Sequence, residues 1–239
     1  MNLILFEEDE IGALLPHDDP RAVHIRDILN LSEGGVFAAG IIGGRSGKGR
    51  LTASRAEGWA WTFVDLEDPA PARPLTLVLG CPRPPVARRL LKDMSALGLR
   101  EIRVCSTDLN EKSYMTSKLW RDGLWREAVI EGAVQGAATL LPAVRTAASL
   151  ERSLEDLPPE AARIALDNAP DARPFGSWEA RPAEAVYAVG PERGWSDRER
   201  RVLDSLGFQR LGLGSRVLRT ETACSLAAGL ILDRLGCFL

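Results

Sequence analysis

The apolar positions change period once along the chain. Up to residue 68 they alternate, or run in short segments between glycines. NLILF (2–6) predicts a first strand, and GVFAAGII (35–42) and RLTASRA (50–56) flank the glycine-rich turn 43–49, which predicts a hairpin. WAWTFVDL (59–66) sets Trp59, Trp61 and Phe63 on one face, the period of a half-buried strand. Between the first two strands, Asp19 to Leu29 predicts a short helix with Val23, Ile25 and Ile28 turned inward. These elements make a small β-barrel-like module with one helix.

Pro-Ala-Pro-Ala-Arg-Pro (69–74) is a stiff connector and divides the chain into domains 1–70 and 71–239. Beyond it strands and helices alternate. LTLVLGC (75–81), EIRVCS (101–106), RIALDN (163–168), AVYAV (185–189) and RLGLG (210–214) read as strands. Pro84-Pro85 opens a helix that stops at Gly98, and Lys118 to Ala138 reads as one long helix. Thr146 to Leu157 reads as a charged helical piece. Five apolar strands separated by helices predict an α/β domain with a mostly parallel sheet covered on both faces.

The last fifty residues carry the strongest local signals. Ser196-Asp197-Arg198-Glu199 is a capping box, so a helix begins just after the turn Gly190-Pro191-Glu192-Arg193-Gly194-Trp195. A second glycine turn, around Gly212 and Gly214, leads into a final helix, Thr220 to Leu235. That helix is apolar nearly all round, which predicts burial in its own core or in a homodimer interface. Ligands of open α/β sheets sit at the carboxyl ends of strands, where both turns lie. The turns do not spell G-x-G-x-x-G, which argues against a dinucleotide. Their free backbone groups suit an adenine base, with Leu211, Leu213, Val217 and Leu218 as apolar lining. Arg216, Arg219 and Glu221 are the charged residues of that corner, either a solvated helix start or a reactive edge.

Composition narrows the class. The chain has 239 residues, 45% hydrophobic and 26% charged, and suits one large domain or two small ones. No apolar run approaches a membrane span, and MNLILFEEDE lacks the basic start of a signal peptide. Four scattered cysteines and two histidines, His17 and His24, argue against zinc, disulfides and a Ser-His-Asp triad. A cytoplasmic protein without metal is expected. The net charge of −3 divides into −6 for residues 1–70 (6 Lys/Arg, 12 Asp/Glu) and +3 for the remainder (24 and 21). A polyanion site must therefore be a local patch. Arg45, Lys48 and Arg50 at the hairpin tip form a solvated turn or a phosphate contact. They are not a P-loop, which requires Gly at Ile42 and Ser or Thr at Gly49.

The string Leu213-Gly214-Ser215-Arg216-Val217-Leu218-Arg219-Thr220-Glu221-Thr222-Ala223, preceded by Gly190-Pro191-Glu192-Arg193-Gly194-Trp195 and Gly207-Phe208, resembles the RsmE-type 16S ribosomal RNA uridine-N3 methyltransferases of the SPOUT superfamily. Weaker echoes are the His24 to Leu29 segment, Lys92 with Leu97-Gly98, and Trp125, Ala128, Glu131, Ala133 and Gln135 before Pro142. The resemblance implies a PUA-like barrel, a trefoil-knotted SPOUT domain, S-adenosylmethionine (SAM) as cofactor, and a homodimer through the knot and C-terminal helices. It implies small-subunit ribosomal RNA as partner.

Carried over by motif, Gly190, Pro191, Glu192 and Gly194 form one cofactor loop. Leu211, Gly212, Leu213, Gly214 and Leu218 form the other, with Leu166 beneath the third. Arg219 would stabilise the N3/O4 anion of the uridine. Glu221 would be the base or, in better accord with a carboxylate beside arginines, would orient Arg219. RNA would be held by Arg21, His24, Arg26, Arg45, Lys48, Arg50, Lys92 and Arg193. The chain departs from the family pattern at Arg193, where glycine is usual, and at Asn30, Ala96 and Ala138. A non-catalytic RNA-binding homologue and a SPOUT enzyme acting on another RNA are the alternative readings.

Overall fold

β1 (Ile4–Phe6), α1 (Pro20–Val23), β2 (Val36–Ile41), β3 (Ser46–Arg55) and β4 (Gly58–Glu67) follow one another in the first part of the chain. In the computed structural model, which describes residues 3–238, the four strands form one sheet in sequence order. β1 and β2 run parallel, and β2–β3 and β3–β4 are antiparallel. Asn2, at the head of the expected first strand, lies outside the described residues. The period-two pattern sends Trp59 and Trp61 inward, with Phe6 stacked on Trp61 at 4.1 Å and Phe63 against both Phe6 and Trp61. This unit extends to Pro71 and takes in Ile130–Leu141, whose Ala133 packs with Leu3 and Leu5.

Two local expectations change here. The helix is α-helical only as far as Val23, after which His24–Ile28 form a π-helical turn closed by the Leu29 N–H on the His24 carbonyl, 3.0 Å. The wider turn shifts the side-chain register, so Ile25 is fully buried while Ile28 is 64% exposed. The hairpin turn is also tighter than the glycines suggest. The Ile41 N–H already donates to the Arg45 carbonyl, and β3 begins at Ser46. Lys48 and Arg50 therefore stand on a strand, not on a mobile tip.

The second unit comprises Ala72–Val129 and the chain from Pro142 onward. It is built from β5 (Arg73–Gly80), α2 (Pro84–Ala96), β6 (Leu99–Cys105), α3 (Lys118–Arg121), α4 (Trp125–Gln135, whose second half belongs to the first unit), β7 (Ala143–Ala147), α5 (Leu150–Ser153), β8 (Ala162–Leu166), β9 (Arg173–Pro174), β10 (Ala185–Val189), α6 (Asp197–Ser205), β11 (Gln209–Gly212) and α7 (Thr220–Arg234). The seven-stranded sheet has the order β7-β6-β5-β10-β8-β11-β9, and every pair is parallel. The apolar strands are buried on both faces, as parallel pairing requires. Val78, Val186 and Ala188 join Trp195, Leu203 and Phe208 in one cluster. Toward α2, the Tyr187 hydroxyl reaches the Met94 sulfur at 3.2 Å. Among the described residues no helix is long and apolar enough to cross a membrane.

The long helix expected over 118–138 is two helices. Asp122-Gly123 interrupts it, with Gly123 at φ +74°, a conformation that costs glycine least. The segment 146–157 also differs, because Ala143–Ala147 is an edge strand and only Leu150–Ser153 is helical. Exposed edge residues such as Arg145 and Thr146 give a short strand no apolar alternation. The last helix buries Cys224, Ala227, Ala228, Ile231 and Leu232 but leaves Leu226 and Leu230 exposed.

Candidate functional site

The capping box after β10 forms as the sequence requires. The Ser196 hydroxyl accepts from the Glu199 N–H at 3.1 Å, and the Glu199 carboxylate accepts from the Ser196 N–H at 2.9 Å. Glu199 is fully buried because its second oxygen also accepts from the Asp108 N–H, 2.9 Å. This fixes the start of α6 and with it the loop 190–195. Within that loop the Gly194 N–H closes a turn on the Pro191 carbonyl, 2.8 Å. The buried Trp195 ring donates its indole N–H to the Leu166 carbonyl at the end of β8, 3.0 Å. The Asp167 N–H in turn bonds the Leu211 carbonyl of β11, 3.1 Å. The carboxyl ends of three neighbouring strands are thus tied together.

Their loops enclose a cleft of about 500 Å³. Leu166, Gly190, Pro191, Glu192 and Gly194 line one side of it, and Leu211, Leu213, Gly214 and Leu218 another, with Arg219 and Glu221 at the start of α7. Gly212 stands apart. It lines a neighbouring groove with Pro174, Phe175, Leu226 and Leu230. Sequence reasoning missed Arg83, Arg89, Asp167, Asn168 and Trp195, which also line the cleft. Arg83 sits just past β5, at another carboxyl end, so the rule used for the glycine turns points to it as well.

The charges at the mouth are arranged in pairs. Glu192 accepts from the Arg83 backbone N–H at 3.0 Å and lies 3.5 Å from its guanidinium. Glu221 pairs with Arg89 at 3.2 Å, a partner the sequence did not suggest. Its carboxyl is held below the usual range, first by its own backbone N–H at the helix start, then by Arg89 and by the charge of Arg219. Arg219 and Arg216 are exposed, and among the described residues neither guanidinium forms an ion pair. Arg193 occupies an exposed position with negative φ, so a residue other than glycine fits there without strain. Asn30 adopts φ +53°, a conformation asparagine tolerates.

The basic residues named for RNA divide into two kinds. Arg21 is already committed: it bonds Asp19 at 2.7 Å, Glu10 and the Leu5 carbonyl, and lies over the Phe6 ring at 4.9 Å. Arg26 pairs with Asp27 at 2.6 Å and Lys48 with Asp65 at 3.2 Å. Arg45 and Arg50 are exposed and, among the described residues, without an ion pair. His24 is half-buried in the π-helical turn, and Lys92 is half-buried on α2.

This open parallel sheet, with its cleft at the carboxyl ends of β8, β10 and β11, belongs to the class of RNA methyltransferase domains, whose family model matches residues 68–232. The ribosomal RNA small subunit methyltransferase E of Treponema pallidum is 35% identical over 97% of this chain and 91% of its own. Methyltransferase E 1 of Borreliella burgdorferi is 29% identical over 97% of both chains. The solved structure of the Neisseria gonorrhoeae methyltransferase E bound to S-adenosyl methionine superposes with a TM-score of 0.80 at 22% identity, covering 98% of this chain and 97% of that one. The chain belongs to the family of ribosomal RNA small subunit methyltransferase E.

Proposed function

We propose that the protein is a SAM-dependent methyltransferase of small-subunit ribosomal RNA, and that the methylated atom is N3 of a uridine. The observation that carries this is the cleft at the carboxyl ends of β8, β10 and β11, where both glycine turns meet Arg219 and Glu221. Its volume of about 500 Å³ suits a nucleoside-sized ligand, and Leu211, Leu213 and Leu218 offer a purine an apolar slot. The related methyltransferase from Neisseria gonorrhoeae, alike over almost the whole chain, was solved with S-adenosyl methionine.

SAM supplies an activated methyl group when bound. Arg219, exposed at the mouth, stabilises the charge that develops on O4 as N3 loses its proton to solvent water at the open mouth of the cleft. Glu221 has its carboxyl lowered at the helix start and is engaged by Arg89, both of which favour an electrostatic part over that of the base. The first unit is read as a PUA-like RNA-binding domain over residues 1–70, supported by its small four-stranded sheet. The second, residues 71–239, is read as a SPOUT domain with a C-terminal trefoil knot, a reading the insertion of β10 between β5 and β8 supports. The exposed Leu226 and Leu230 of α7 support a homodimer through that helix. The protein is assigned to the cytoplasm, where ribosomal RNA is its substrate.

The experiment is methyl transfer to small-subunit RNA, followed by nucleoside mass spectrometry, for the wild type and for Arg219→Ala. Transfer falls about 100-fold or more in the variant while SAM affinity holds. Unchanged transfer with intact SAM binding refutes the role of Arg219. A methyl group on any atom but uridine N3 refutes the acceptor.

A further inference from the structure

Asp167 follows β8 and lines the cleft, yet its carboxylate is turned away from solvent, with the side chain 1% exposed. Both oxygens are fully engaged. Arg200 of α6 approaches from two nitrogens, at 2.9 and 3.2 Å. Arg210 of β11 reaches Oδ2 at 3.3 Å, and the Ala169 N–H donates to Oδ1 at 3.2 Å. Arg210 also bonds Asp171 and Asp204, the latter at 3.0 Å, so one guanidinium joins the loop after β8 to the end of α6. A carboxylate this enclosed, shared by two arginines that are themselves mostly covered, is costly to disturb, because it is their one buried anion and its loss leaves Arg200 with only the exposed Asp197.

We propose that Asp167 is the positioning residue of the cleft. Its carboxylate, locked by Arg200 and Arg210, sets the spacing between the loop after β8 and the loop after β11. It thereby sets the affinity for the adenosyl cofactor without touching a reacting atom. The inference rests on reading this cleft as the SAM site. The geometry gives a specific expectation: the Asp167 N–H to Leu211 carbonyl bond and the Trp195 to Leu166 bond join the walls at the end of the paired strands, and both are made by the backbone at Leu166 and Asp167. Loosening Asp167 therefore loosens both walls at once, while Arg219 and Glu221, held by the start of α7, stay in place.

The test compares Asp167→Asn with the wild type by SAM calorimetry, by kcat at saturating SAM, and by hydrogen exchange of the segments 163–172 and 209–214 without ligand. The expected result is a dissociation constant at least tenfold weaker, kcat within about threefold, and faster exchange in both segments. A purely structural role would instead lower kcat and stability together. Arg210→Lys, which keeps the charge, is expected to fall between wild type and Arg210→Gln. If Asp167→Asn does not fold, Arg200→Gln and Arg210→Gln carry the same expectation. Affinity within twofold of wild type, or unchanged exchange, in these folded variants overturns the proposal. A wild type that fails to bind SAM overturns the cofactor reading, and the exchange comparison still decides the role of Asp167.

Discussion

One methyl group is enough to test how the cofactor loop is held. Gly80 ends β5 and is buried, with Cys105 as its strand neighbour. A Cβ at this position would stand 2.6 Å from Pro191 Cδ, 2.9 Å from Pro191 N and 2.9 Å from Thr107 Cγ2. Ordinary contact begins near 3.4 Å, so in Gly80→Ala the proline must retreat by about 0.8 Å. A ring fixed to the backbone cannot rotate out of the way, and the loop behind it is closed by the Gly194–Pro191 turn and anchored by Trp195. Overpacking of this kind costs about 1–3 kcal/mol. At about 2–4 °C per kcal/mol, the melting temperature falls by about 2–12 °C. Because Pro191 lines the cleft, a shift of most of an ångström also weakens SAM about tenfold or more. Thermal unfolding and SAM calorimetry on the purified variant read both effects. A melting temperature within 1 °C of wild type together with unchanged SAM affinity would refute the argument that β5 and the cofactor loop are in fixed contact.

Removing the α6 cap by Ser196→Ala is expected to cost about 1 kcal/mol, seen as a melting temperature lower by about 2–4 °C; no change would mean the loop start is held without the cap. Glu199→Ala is expected to cost more, since it strips the Ser196 and Asp108 amides of their acceptor together. In the first unit, hydrogen bonds from Arg21 hold the Glu10 and Asp19 carboxyls below their usual range. Stability from depressed carboxyls is complete above their unfolded values and is lost as pH falls through the folded ones. Arg21→Gln therefore lowers the urea midpoint at pH 7, and the gap to wild type narrows below about pH 4; a gap that widens on acidification contradicts the pairing. For RNA, Arg45→Ala and Arg50→Ala are each expected to reduce the slope of log affinity against log salt by about 1. Arg21→Ala, whose guanidinium is already occupied, leaves that slope unchanged in protein that folds.

The parts of the fold that could be read in advance are those where a local pattern and burial agree. Trp59, Trp61 and Phe63 alternate because one face of β4 is core. The α2 helix begins at Pro84 and ends at Ala96 because Pro84-Pro85 and Gly98 punctuate it. The expectations that changed are those where two local signals competed. Leu119 and Val129 share a helical period, but Asp122-Gly123 between them sets a left-handed turn, and the period continues across a real break. Ile28 fits an α-helical face only if the helix keeps 3.6 residues per turn, which the π-helical turn does not. No sequence period marks Ile130–Leu141 as packing with β1, because that association depends on tertiary contacts alone.

The candidate site divides along the same line. Gly190, Gly194 and Gly214 announce turns, and the carboxyl-end rule brings those turns to one place. The rule identifies where the loops meet but not what holds them there. Asp167 in the sequence is an ordinary acidic residue after a strand, and Arg200 and Arg210 lie in a segment so charged that each reads as solvated. The parallel register of β8 with β11, which sets Ala165 opposite Arg210 and Leu166 opposite Leu211, brings the carboxylate to Arg210, and the packing of α6 brings Arg200 to it. The same holds for Arg89 and Glu221, 132 positions apart, whose pairing diverts the carboxylate from Arg219. A motif can therefore specify the backbone of such a cleft, whereas the ionic contacts that fix its width depend on strand order. Substitutions at Asp167 and Arg89 are accordingly where sequence comparison alone would most underestimate the effect on binding.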